Sequence, residues 1–347
     1  MLVVLFHVGV IMGQPEYGGG TPSFGTLTIG WIGVNFFFVL SGFIILHAHA
    51  KDIGHPEKIR VYAWRRFARV YPIYWVLLTV FVGAAWAGIG HPDFSFSLAN
   101  MVAAYSLVQI RTDISLPLKV AWTLLFEVQF YALFGLAILN RKLGIIVFGI
   151  WLLVIIASGF LDRPASEGFS NVWSLNFLCG GVAYWMASKA NVSSGAWLFA
   201  IGVGLLGLLV FSGIVPRGME LAPHQPLMMV ALGLTFAAVL AGAVLLERRF
   251  SFAPPKSLLL IGDASYSIYL VHSAVISVSA QIYHALMPGF LSPDTLFVVL
   301  AAGSVVAGCC IHLLVERPMM SLLVKPSATR SAARTQRLRS APASDTP

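Results

Sequence analysis

The sequence predicts an all-α polytopic membrane protein, a bundle of about ten transmembrane helices with both termini in the cytoplasm. Three observations predict it. Of 347 residues, 58% are hydrophobic and only 10% charged, where a soluble domain carries about 25% charged residues. Apolar segments recur at 1–13, 29–50, 72–90, 120–140, 144–160, 171–188, 195–213, 226–246, 265–287 and 294–315, most of them with the roughly 17–25 residues that cross about 30 Å of hydrocarbon. Finally, the basic residues alternate. The loops on one side, with the C-terminal tail, hold 18 of the 22 lysines and arginines, and the other side holds only Arg111, Lys119, Arg163 and Arg217. The positive-inside rule places the basic side in the cytoplasm. The net charge of +8 is therefore mostly topology and not a nucleic-acid footprint.

Along the chain, the first segment is short. Thirteen helical residues rise only about 20 Å, and neither a basic flank nor a signal-peptide cleavage site accompanies them. The expectation is a natural first helix that begins roughly ten residues before Met1. His7, in Leu2-Val-Val-Leu-Phe-His7, then lies about 15 Å deep, near the midplane. The second segment, Gly33-Val-Asn35-Phe-Phe-Phe-Val-Leu-Ser41-Gly42-Phe43, offers small and polar residues for a close helix contact or a polar notch. A cytoplasmic loop follows, from Lys58 to Pro72, with the densest basic cluster of the chain, Arg65, Arg66 and Arg69. On a helix, Arg66 and Arg69 present two guanidinium forks on one side, which suits phosphate oxygens. An anchor to lipid headgroups explains the same charges. The stretch 97–110 is apolar but too short to span, and suits an interfacial or re-entrant helix. Residues 1–320 form one membrane domain. Residues 321–347, rich in Ser, Ala, Arg, Pro and Thr, form a disordered basic tail.

Glu127 is the one carboxylate well inside a segment. A charge at bilayer depth is expensive and usually marks function, though a buried acid can also serve packing alone. In Trp122-Thr-Leu-Leu-Phe-Glu127-Val-Gln-Phe-Tyr131, Thr123, Glu127 and Tyr131 share one helical face. His7 and His272 are the only imidazoles at similar depth. Ser265, Tyr269 and His272 fall on one face of the ninth segment, as the lining of a channel or as hydrogen-bonded core. Imidazole can take a proton from a hydroxyl at physiological pH, and a carboxylate can orient the ring. Cys179, Cys309 and Cys310 show neither metal-ligand nor disulfide spacing and read as packing residues.

Six pieces in order resemble the membrane-bound acyltransferase-3 family of bacterial surface-glycan acetyltransferases. They are Leu2-Val-Val-Leu-Phe-His7, Gly33 to Phe43, Arg65-Arg66-Phe-Ala-Arg69-Val-Tyr-Pro72, Trp122 to Tyr131, Ser265-Tyr-Ser-Ile-Tyr269-Leu-Val-His272 and Val315-Glu-Arg-Pro318. The chain is most similar in flavour to rhizobial exopolysaccharide acetyltransferases. The resemblance implies ten helices in the bacterial inner membrane and no resident cofactor or metal. It implies transfer of an acyl group, usually acetyl from cytoplasmic acetyl-CoA, to a carbohydrate hydroxyl. Carried over by position, His7 is catalytic, Arg66 and Arg69 lie near acyl-CoA with Arg65 beside them, and Glu127 is the acid of the Trp-Ser/Thr-Leu-x-x-Glu segment. Asn35, Ser41, Trp122, Tyr131, Tyr269 and His272 are candidates for supporting or lining roles. The family's basic residue eleven positions before the histidine has no counterpart, since that position precedes Met1.

The expected geometry sets CoA phosphates on the arginines and the pantetheine arm between helices, with His7 and Glu127 paired at its end. Other functions fit the same residues. In a proton-coupled exporter of a glycan or lipid-linked sugar, Glu127 and His7 would relay protons. A structural partner of the polysaccharide biosynthesis machinery would need no chemistry.

Overall fold

A computed structural model describes residues 1–17, 20–22, 27–89, 94–108, 116–160, 171–219, 225–251 and 253–323. Among them every regular element is helical: α1 (Leu2–Met12), α2 (Gly33–His49), α3 (Ile59–Trp86), α4 (Leu98–Ser106), α5 (Trp122–Leu139), α6 (Arg141–Phe160), α7 (Leu175–Lys189), α8 (Gly195–Phe211), α9 (Pro226–Phe250), α10 (Lys256–Asp263), α11 (Ser265–Leu286), α12 (Pro293–Ile311) and α13 (Arg317–Leu323). Each of the ten apolar segments holds a helix. Seven helical stretches are long and apolar enough to cross a membrane. The pair α10–α11, bent by 73° at its break, makes an eighth if taken as one span. α1 and α7, with 11 and 15 residues, are shorter. Arg111, Arg163 and most of the predicted tail, 324–347, lie outside the described residues. Residues 321–323 are the last turn of α13 and not tail.

Two boundaries differ from the sequence reading. The basic stretch 58–72 is not a loop: α3 begins at Ile59 and runs through Pro72 for 28 residues. Proline forfeits one helical hydrogen bond, a loss that membrane helices tolerate where neighbours re-satisfy the backbone. At 1.5 Å per residue α3 is about 42 Å long, so its first turns, which carry the arginines, extend beyond one hydrocarbon thickness. The stretch 97–110 contains α4, nine residues capped by Ser97. The carbonyls that end a helix lack intrahelical partners, and α3 supplies them. Tyr74 donates to Ala104, Trp75 to Tyr105 and Tyr71 to Ser106, at 2.7–2.8 Å.

The helices pack as three groups. One core joins α2, α5, α6, α7 and α9 through Phe38, Phe130, Trp173, Phe177 and Phe236. A second joins α3, α4, α5 and α11 through Tyr74, Leu78, Leu124 and Leu270. A third joins α1, α11 and α12 through Val8, Ile268 and Phe297. α6, α8 and α12 present large apolar side chains outward, among them Leu153, Phe211 and Val298, as helices facing lipid do.

α2 and α7 cross with almost no space between backbones, because lipid gives helices no hydrophobic reason to associate and close packing must supply it. A Cβ on Gly42 would stand 2.1 Å from the Phe177 carbonyl oxygen, and one on Gly180 2.3 Å from that of Val39. Gly42→Val is expected to force the pair apart at a cost of about 1–3 kcal/mol, the usual range for overpacking. A lower thermal midpoint of the detergent-purified protein checks it. An unchanged midpoint would mean the two helices slide freely.

Candidate active site

A cavity of about 1210 Å³ opens where the three groups meet. Its wall follows α2 from Gly33 to His49, about 24 Å of helix rise. Around α2 stand Val3 and Val4 of α1, the arginines of α3, Glu127 and Tyr131 of α5, and Ser265, Tyr269 and His272 of α11. Leu258 and Ile261 of α10 and Met320 and Ser321 of α13 complete it. The bend between α10 and α11 is what lets α10 wall the cavity while α11 continues through the bundle.

Arg65, Arg66 and Arg69 all line this cavity, because offsets of three and four residues fall on one face of α3. The Arg66 guanidinium lies over the Tyr131 ring at 5.6 Å and that of Arg69 over Tyr266 at 5.7 Å, cation–π contacts that hold both side chains in place.

Glu127 sits further along. It is 6% exposed, and one oxygen, Oε1, accepts hydrogen bonds from the Tyr131 hydroxyl and from Ser41 Oγ. Its other oxygen has no partner among the described residues, and the residue is part of the cavity wall. Beyond it, Tyr269 donates to the Val120 carbonyl at 2.8 Å, lies 2.7 Å from Thr123 Oγ1 and stacks on Phe37. The face predicted for Ser265, Tyr269 and His272 is a cavity face, Glu127 and Tyr131 of α5 line the same cavity, and Thr123 is buried behind Tyr269.

His7 is not paired with Glu127, and no hydrogen bond joins the two. Its ring meets His272 instead, Nδ1 to Nε2 at 3.2 Å. His272 is fully buried and lines the cavity. The two rings pack edge to face at 4.8 Å. Carbonyls fix the tautomers. His272 Nδ1 lies 2.7 Å from the Tyr269 carbonyl and His7 Nδ1 2.8 Å from that of Val3. A carbonyl only accepts, so both Nδ1 atoms carry hydrogens. His7 then shares its one Nδ1 hydrogen between the Val3 carbonyl at 2.8 Å and His272 Nε2 at 3.2 Å, and His7 Nε2 keeps its lone pair with no partner among the described residues. That is the form a base needs.

Two candidates stand elsewhere. Asn35 is buried between helices, donating to Asn176 Oδ1 and Met229 Sδ at 3.4 Å. Trp122 packs edge to face with Trp173 and Phe126. Neither lines the cavity. Both tie α2 and α5 to their neighbours, so the polar and aromatic signals in those segments report packing.

One acid was missed. Glu316 is 2% exposed, so Glu127 is not the single interior carboxylate. A π turn over His312–Glu316 carries it inward. It meets His312 Nδ1 at 2.8 Å, accepts from Ser267 Oγ at 2.7 Å and pairs with Arg69 at 3.5 Å. Three helices, α3, α11 and α12, thus converge on one carboxylate that anchors a cavity arginine. Glu316 lies just past the apolar segment 294–315, beside Arg317, so a reading of charges inside segments passes over it. The signal available was the Glu-Arg-Pro piece itself, with His312 one helical turn before. Glu316→Ala leaves Ser267 and the arginine without an acceptor. A loss of roughly 1–3 kcal/mol is expected, the cost of stranding buried polar groups, readable as a lower unfolding midpoint in detergent.

A model of the family described as "Acyltransferase domain" matches residues 1–314. The chain is 30% identical over 305 residues to the exopolysaccharide production protein ExoZ of Rhizobium meliloti (strain 1021), covering 84% of this chain and 90% of that protein. Acyltransferase MdmB of Streptomyces mycarofaciens is 26% identical over 344 residues, covering 88% and 84%. Peptidoglycan O-acetyltransferase OatA of Listeria monocytogenes is 26% identical over 303 residues, covering 75% of this chain and 47% of that longer protein. No solved structure matches.

Proposed function

Because the chain belongs to the acyltransferase domain family, we propose that it is a bacterial inner-membrane O-acyltransferase that moves an acyl group, acetyl in the simplest case, from cytoplasmic acyl-CoA to a carbohydrate hydroxyl. The observation that carries the reading is a single cavity with guanidinium groups at one end and a base-competent histidine behind its wall at the other. The chain's similarity to an exopolysaccharide production protein supports a glycan acceptor.

In this reading the basic end faces the cytoplasm, as the alternation of basic loops requires. CoA phosphates rest on Arg65, Arg66 and Arg69, where planar forks suit phosphate oxygens. The pantetheine arm follows α2 past Ser41 and brings the thioester toward His7. His7 Nε2 takes the proton of the acceptor hydroxyl as its oxygen attacks the thioester carbonyl. The tetrahedral intermediate collapses, the C–S bond breaks, and the leaving thiolate takes the proton back from the imidazolium. His272 accepts from His7 Nδ1 throughout and keeps the lone pair on Nε2. Glu127, held by Ser41 and Tyr131, positions the acceptor through its unpartnered oxygen. An acyl group carried transiently on His7 is the alternative course. Stable acyl label on His7 after adding acyl-CoA without acceptor would select it.

The function itself is tested by mass spectrometry of surface glycans from cells with and without the protein. Ester-linked acetyl groups that disappear with it are expected. Identical glycans, together with proton-coupled movement of a sugar into vesicles, would overturn the reading in favour of transport.

A further inference from the structure

Glu316 is a buried carboxylate that the acyl transfer does not use, and the chain folds irregularly to place it. Pro318 has no N–H for the Leu314 carbonyl four residues back, and in a regular helix its ring would clash with that carbonyl. The chain widens there into the π turn His312–Glu316, a form that recurs at functional sites. Leu313 and Leu314 stay exposed, while Glu316 turns inward and is 2% exposed. Its two oxygens have separate partners. Oε2 meets the Ser267 hydroxyl at 2.7 Å and His312 Nδ1 at 2.8 Å, so α11 and the π turn itself fix the carboxylate. Oε1 faces Arg69 Nη1 at 3.5 Å. Among the described residues, Arg69 is the one cavity arginine in an ion pair. Its side chain is still 43% exposed, and the Tyr266 ring gives its guanidinium a second contact.

We propose that Glu316 is a positioning residue of the donor site: it sets the Arg69 guanidinium where that group meets a phosphate of acyl-CoA. The inference rests on the reading of the cavity as the acyl-CoA site. Two effects of the carboxylate oppose each other. Its charge repels a phosphate, but at a partly exposed guanidinium such a charge term is worth about fivefold in affinity or less. Its placement of Arg69 decides whether a charge-assisted hydrogen bond to phosphate forms, which is worth about tenfold or more. Placement outweighs charge. Two substitutions separate the effects. Asp keeps the charge but withdraws it by one methylene, so the contact with Arg69 is lost. Gln loses the charge but keeps an oxygen for Arg69, with its amide donating to Ser267 Oγ or His312 Nδ1, each of which can accept.

The test is calorimetric titration of the full chain in lipid nanodiscs with CoA, for wild type, Glu316→Asp and Glu316→Gln, each with and without Arg69→Ala. Affinity and stoichiometry are read separately, so a partly unfolded variant lowers the second and leaves the first. Glu316→Asp is expected to weaken CoA binding by about tenfold, and Glu316→Gln to stay within about fivefold of wild type. In the weaker Arg69→Ala background neither substitution is expected to cost anything further, as for two residues that act as one unit. An Asp variant with wild-type affinity would overturn the proposal and leave Glu316 a packing residue. So would a Gln variant as weak as Asp, or a loss of the same size with Arg69 absent. A wild type that binds no CoA would overturn the donor-site reading itself, and this inference with it.

Discussion

Replacing His7 by Ala is expected to lower acyl transfer by about 10²–10⁴-fold, the range that a positioned general base contributes. Its ring is held by the Val3 carbonyl and by His272, and packs edge to face on Phe6 and His272. The variant therefore loses the base and also strands the buried His272 Nε2, so the unfolding midpoint should fall by an amount equivalent to about 1–3 kcal/mol, while the folded fraction still binds donor. Donor affinity should hold, since Arg65, Arg66 and Arg69 belong to another helix at the other end of the cavity. Steady-state kinetics with labelled acetyl-CoA check this as a loss in kcat with KM preserved. A variant that still acetylates at the wild-type rate would remove His7 from the chemistry.

Changing Glu127 to Gln is expected to cost about a hundredfold in kcat/KM, the scale on which a misplaced reacting group slows an enzyme. The amide keeps the shape, and its oxygen can still accept from Tyr131 and Ser41, which donate to one and the same carboxylate oxygen. The other position, turned to the substrate, loses its charge and becomes an NH2 donor where an acceptor stood. The loss should fall on the acceptor, with its KM raised and CoA binding intact. Were CoA binding to fall instead, Glu127 would act on the donor arm.

The separation of these effects follows from depth. Along α11, Tyr266 touches Arg69, Tyr269 touches Thr123 and His272 touches His7. The two steps between these three α11 residues rise together about 9 Å. Glu127 lies one helical turn from Thr123 toward the arginines. Guanidinium, carboxylate and imidazole groups are thus stacked along one path, which is how the proposed long, thin donor would meet them in turn.

Much of this was legible in the sequence, because hydrocarbon length and the expense of buried charge constrain it strongly. Each apolar segment became a helix, and the helical offsets correctly put Arg66 with Arg69, and Tyr269 with His272, on a common wall. Partners across helices were not legible. His7 and His272 are 265 residues apart, and helical periodicity says nothing about which face meets which. The expected His7–Glu127 pair failed for that reason: Tyr131 and Ser41 were closer claimants on the carboxylate. The extension of α3 upstream of Pro72 was hidden because its exposed face is cationic and no apolar run announces it. Glu316 was hidden by the opposite error, a charge at a segment end that a π turn rotates inward. Asn35 and Trp122 showed that a polar or aromatic residue in a span can serve the bundle alone.

The most direct test is electron cryomicroscopy of the full chain in nanodiscs with CoA bound. The account predicts phosphate density against Arg65, Arg66 and Arg69, with the thiol lying between Glu127 and His7. Density for CoA outside this cavity, or inside it with the thiol turned toward the arginines, would contradict it.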